Sequence, residues 1–235
     1  MPIQLTVRSQ PLKTIPSAAL ICALAAMALS GCGSKTDANE ANFRAALNQY
    51  LEKKGTLCIG TTTWPVEVRE RDARARLPLA IEKIQQMEAL KRAGLVTSEE
   101  LDVDLLDYNS KPTGKKVHVR HYSLTDAARP YSRHSKVNML VGLNEYRLEQ
   151  RTDLCWGQKV VDKIVKWEGP MKSGDYQEAS VTFTYRIETM SEWAKRDEVQ
   201  AAFREMQEQI DSAGKKSLRR GVKLTSIGWE AKGLD

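Results

Sequence analysis

The spacing of apolar side chains divides the chain into a helical first half and a strand-rich second half. Phe43, Ala46, Leu47, Tyr50 and Leu51 fall at i, i+3, i+4, i+7 and i+8, which predicts an amphipathic helix ended by Gly55. Thr56 to Val68 reads as extended, broken at Pro65, with Trp64 turned inward. A second helix opens at Pro78, carries Leu77, Ile81, Ile84, Met87 and Leu90 on one stripe, and stops at Gly94. Leu101, Val103 and Leu105 then alternate with Asp102 and Asp104, and a polar tip with Asn109, Pro112 and Gly114 turns the chain back through Val117, Val119 and Tyr122.

Past Pro130 the period changes from helical to two. Ser135 to Val141 and Glu145 to Gln150 are expected to pair around Gly142 and Asn144, with Gln158 to Trp167 as a further strand. Gly169, Pro170 and Gly174 interrupt the chain before its clearest strand, Tyr176 to Glu188, where Ala179, Val181, Phe183, Tyr185 and Ile187 share one face. Thr189 and Glu192 form a candidate capping box for one long helix carrying Trp193, Val199, Ala202, Phe203, Met206 and Ile210. It ends near Gly214, and a last strand is expected from Val222 to Trp229. The expected class is α+β: an N-terminal helical part over 39–131, then an antiparallel sheet crossed by one long helix over 132–235.

Ahead of both lies a basic stretch with Arg8 and Lys13, then an apolar run from Ala18 to Leu29 of about a dozen residues, too short for the ~20 that span a bilayer. It leads into Leu29-Ser30-Gly31-Cys32, which resembles the lipobox of bacterial lipoproteins. The resemblance implies diacylglycerol on the Cys32 sulfur, cleavage between Gly31 and Cys32, and acylation of the new α-amino group with a palmitate-type chain. Residues 1–31 are then a signal peptide, which includes Cys22, and 32–38 a lipidated tether. Two or three chains, at ~0.8 kcal/mol per buried CH₂, anchor stably where one does not. Gly33 and Ser34, with no Asp after the cysteine, imply the outer membrane, with the body in the periplasm.

A second resemblance is local. Leu90-Lys91-Arg92-Ala93-Gly94-Leu95-Val96 and Tyr122-Ser123-Leu124-Thr125-Asp126-Ala127-Ala128-Arg129 look like the stretches flanking the wing of winged-helix domains, over about 77–131. Ala128 stands where such domains often carry Gly, and no basic recognition helix precedes it. The likeness therefore implies a scaffold for packing or protein contact, and nucleic acid is not an expected partner.

Charge adds little to this picture. Of the 36 basic and 30 acidic residues the leader holds two basic ones, so the mature chain keeps 34 against 30, a net +4. Arg69, Arg71, Arg74 and Arg76 interleave with Glu67, Glu70 and Asp72 and are largely compensated. Lys215, Lys216, Arg219, Arg220 and Lys223 are less balanced, a candidate contact for lipopolysaccharide phosphates, glycan carboxylates or an acidic envelope protein, set against an ordinary solvated loop.

Catalytic chemistry is sparse. Cys58 and Cys155 survive processing, and in an oxidising compartment a disulfide is the expected state, against two free thiols or a reactive cysteine. His118 and His121 fall on opposite faces of any strand, so with His134 they make no expected metal site. There is no Gly-x-Ser-x-Gly elbow, and the carboxylates are scattered. Trp167, Trp193 and Trp229 are expected in the core. No cofactor is expected. The reading is a membrane-anchored envelope lipoprotein with a non-catalytic binding or structural role. A periplasmic hydrolase and a lipoprotein immunity or inhibitor protein against a secreted effector are the alternatives.

Overall fold

A computed structural model describes residues 34–108, 111–142 and 145–234. Cys32 and the leader, and the turn residues Asn109 and Asn144, lie outside the described residues. The elements run α1 (Glu40–Lys54), β1 (Thr56–Cys58), β2 (Val66–Arg69), α2 (Glu70–Arg74), α3 (Pro78–Arg92), β3 (Val96–Leu106), β4 (Pro112–Leu124), a 3-10 segment (Asp126–Tyr131), β5 (Ser132–Gly142), β6 (Glu145–Ser173), β7 (Tyr176–Glu188), a second 3-10 segment (Glu192–Lys195), α4 (Asp197–Ala202), α5 (Arg204–Ser212), β8 (Leu218–Thr225) and β9 (Gly228–Ala231). The fold is α+β with antiparallel sheets: β1-β6-β7-β8-β9, with β5 also on β6, and a separate β2-β4-β3 sheet.

α1 starts where the Asn39 side chain accepts the Asn42 N–H at 2.9 Å, and its predicted stripe buries Phe43, Ala46, Leu47 and Leu51. Those side chains pack on Val161, Ile164, Ala179, Val181, Phe183, Val222 and Trp229 of the large sheet. Gly55 closes the helix, and a Cβ there would lie 2.5 Å from the Leu51 carbonyl oxygen.

A second core gathers Val66, Val68, Met87, Leu90, Val96 and Tyr122 with Leu57, Leu154, Trp156, Trp193, Val199, Phe203 and Met206. α1 and β1 precede the boundary expected at 131/132, yet both join the sheet built after it. The two expected units thus share a sheet and a core.

The single long helix expected after Thr189 is three short pieces, broken at Arg196 (ψ 130°) and at Phe203 (φ −115°, ψ 84°). The reason is packing. At about 100° per residue, an unbroken helix would set Trp193 roughly 110° away from the stripe of Val199, Phe203 and Met206. The breaks let all four bury. Thr189 takes φ 52° and does not cap; Ser191 precedes the first piece without a side-chain cap bond. Trp229 and Trp193 are buried as expected, Trp167 stays 39% exposed in an edge-type contact with Phe43, and Leu77 is exposed.

Candidate functional site

β6 is one strand of 29 residues where two were expected, and its length carries it beyond the large sheet. From Gln158 to Ser173 it pairs with β7 inside the large sheet; from Glu145 to Leu154 it pairs with β5 alone. The outer part is therefore a two-stranded ribbon, in register from Ser132↔Leu154 to Leu140↔Tyr146.

Period-two alternation makes that ribbon two-faced. Leu140, Tyr146 and Leu148 share one face with Asn138 and Lys136, and the three apolar side chains are 61%, 66% and 60% exposed. The other face carries Arg133, Met139, Arg147, Glu149 and Arg151, with Arg151 Nη2 3.0 Å from the Met139 sulfur and 3.6 Å from the Glu149 carboxylate.

The root of the ribbon is fixed. Trp64 Nε1 donates to the carbonyls of Thr61 (3.1 Å) and Thr152 (3.0 Å), the Thr152 N–H donates to Thr62 (3.2 Å), and Ser132 Oγ donates to the Ala128 carbonyl (3.0 Å). His134 Nδ1 lies 2.9 Å from Thr152 Oγ1. The Gly60 N–H donates to both Asp153 carboxylate oxygens, at 3.1 and 3.2 Å. Burial outweighs these bonds and pushes the Asp153 carboxyl up to about 6. Among the described residues no strand pairs with the other edge of β5.

Beside this root Cys58 and Cys155 form the disulfide that joins β1 to β6. It flanks a groove of about 330 Å³ lined by Glu82, Gln86, Phe203, Glu205 and Glu208. The three histidines do not converge. His118 sits in the small sheet between Asp102 and Glu100, 2.9 Å from each, and these carboxylates hold its imidazole above the usual histidine range. His121 faces Glu67 at 3.2 Å. Among the described residues no group of three or more His, Cys, Asp or Glu side chains is arranged to hold a metal ion.

The basic residues of the last turn are dispersed. Arg219 donates to Ser180 Oγ (2.6 Å) and pairs with Glu168 at 2.7 Å. Arg220 stacks 4.1 Å over the Tyr50 ring and donates to its hydroxyl. Lys223 stands opposite Glu230 and Glu178 in the ladders, and Lys215 and Lys216 sit in the turn before β8.

The exposed ribbon face was hidden in the sequence. Leu140, Tyr146 and Leu148 carry the alternation of an ordinary covered strand, and no local signal tells a covered apolar face from a bare one. Compared with known proteins, the chain matches no family model, no curated protein and no solved structure.

Proposed function

We propose that this is a lipid-anchored envelope protein that works by binding, using the β5–β6 ribbon as its recognition element. The observation that carries the reading is the apolar face of Leu140, Tyr146 and Leu148, all at least 60% exposed on a ribbon rooted in the body by Trp64 and Thr152. Monomeric surfaces scatter such side chains singly, and a contiguous apolar patch rimmed by polar groups marks an interaction site. Among the described residues that face also carries His134 and Lys136 and no carboxylate, which favours a partner with acidic groups.

The anchor rests on the likeness of Leu29-Ser30-Gly31-Cys32 to a lipobox, with Gly33 and Ser34 favouring the outer membrane and a periplasmic body. The winged-helix likeness of 77–131 fits a scaffold, since Met87, Ala89 and Leu90 of α3 and Val96 and Tyr122 of the β3–β4 hairpin are spent on the core. The catalytic alternative loses its thiol route through the Cys58–Cys155 bond.

A photoreactive amino acid in place of Tyr146, used in intact cells, tests the reading. One dominant protein adduct, absent with the probe at exposed Leu79 on α3, is the expected result; a secreted effector as that adduct would select the inhibitor reading. Equal, diffuse labelling from both positions would overturn a binding role for the ribbon.

A further inference from the structure

The first described residues are pinned at the end of the large sheet farthest from the ribbon. Trp229 Nε1 donates to the Thr36 carbonyl at 3.1 Å, and Asn42 Nδ2 donates to the carbonyls of Ser34 (2.8 Å) and Asp37 (2.9 Å). Gly228, at φ 125°, passes so close that a Cβ would stand 3.2 Å from the Lys35 carbonyl oxygen. Only Gly33 separates Ser34 from Cys32 in the sequence, and two residues of fully extended chain reach no more than about 7 Å. Any lipid on Cys32 therefore leaves the body at this end.

Two turns share that end. β6 and β7 close at Ser173↔Tyr176, β8 and β9 close at Thr225↔Gly228, and the Glu178↔Lys223 register sets these turns side by side. Ile227 at the tip of one is 70% exposed, and Met171 beside the other is 66% exposed. Single apolar tips on a soluble surface mean little alone. Within reach of an acylated residue they meet a bilayer at high effective concentration. Local charge is mixed, with Lys35 and Lys172 against Asp37 and Asp175, and Lys232 paired with Glu178.

The geometry points to this end of the sheet, the Ser173–Tyr176 and Thr225–Gly228 turns with Ile227 and Met171, as a surface that rests on the lipid bilayer. The inference builds on the lipid anchor proposed above and adds an orientation. Trp167 packs on Phe43 at the same end, 5.5 Å between ring centroids. From there to Tyr146 β6 follows ~70 Å of strand path, less its bends. The apolar ribbon is thereby held away from the membrane that anchors the chain. Because the charges offset one another, the contact is apolar and insensitive to salt.

The mature chain offers a test in which the anchor is imposed. With Cys58 and Cys155 bonded, Cys32 is the remaining thiol, and it can be coupled to a maleimide phospholipid in phosphatidylethanolamine/phosphatidylglycerol vesicles. A benzophenone amino acid replaces Ile227, Met171 or Tyr146 in turn, and mass spectrometry counts lipid adducts after illumination. The expected result is an excess of about tenfold at 227 and 171 over 146, unchanged in high salt and lost without coupling. Equal labelling, or labelling mainly at 146, overturns the surface. The anchor is read separately, from the mass of the Cys32 peptide in protein extracted from cell membranes. An unmodified Cys32 overturns the anchor, and with it the cellular role of this surface, whatever the vesicles show.

Discussion

Cys58 and Cys155, 97 positions apart, stand opposite one another across the β1–β6 ladder and are covalently joined. The bond fastens the strand that follows α1 to the strand that carries the ribbon, at the margin of the core formed by Leu57, Leu154 and Trp156. In the chain-entropy account, closing a loop of this length stabilises the fold by on the order of 4 to 5 kcal/mol. The double substitution Cys58→Ser with Cys155→Ser should lower the denaturation midpoint accordingly, and reductant should do the same to the native chain. A midpoint that moves with neither would show that the bond contributes nothing in solution.

Much of this arrangement is legible in the sequence because its signals are local. The stripe Phe43, Ala46, Leu47 and Leu51 and the alternation from Ala179 to Phe183 each name a face, and both faces are buried. What stays hidden depends on distant partners. Trp156, 1% exposed, sits in a stretch without clear periodicity, and its burial depends on α3, α4 and α5. The long helix fails because Trp193 needs a position that continuous helical geometry denies it. Glu100 and Asp102 reach His118 only through a cross-strand register that spacing within one strand does not reveal.

Asp153 gives the fold a pH dependence of unusual sign. Its carboxyl is pushed up to about 6 by burial, so the folded state holds its proton where the unfolded chain does not. The associated stability is complete below about pH 4 and is lost as pH rises through about 6. Asp153→Asn keeps an acceptor for the Gly60 N–H and removes the charge. It should raise the melting temperature at pH 7.5 and have little effect near pH 4. A variant less stable than the native chain at pH 7.5 would contradict the assignment.

His118 holds its proton to higher pH than an isolated surface histidine. Asp102 and then Glu100 raise its pKa through hydrogen bonds to the two ring nitrogens. The pairing is complete below the unfolded value of about 6.5 and fades as pH rises through the higher folded value. In NMR titrations Asp102→Asn should bring the His118 midpoint down. An unchanged His118 midpoint would mean the exposed pair is broken by solvent.

The ribbon makes the sharpest separation between folding and function. A two-stranded hairpin is marginal by itself in water, and this one is held at its root by Trp64, Thr152 and Ser132. Among the described residues Leu140, Tyr146 and Leu148 belong to neither core, so Leu148→Asp should change stability by no more than about 0.5 kcal/mol. Val181→Ala, in a fully buried position on β7, removes comparable apolar volume from the core and should cost about 2 kcal/mol. Crosslinking in cells should reverse that order: the Leu148 variant loses the ribbon's partner while the Val181 variant keeps it in proportion to the folded fraction. If Leu148→Asp destabilises as a core substitution does, the face is packed against the body and the ribbon is a structural strap. If it leaves both stability and crosslinking untouched, recognition lies elsewhere on the protein.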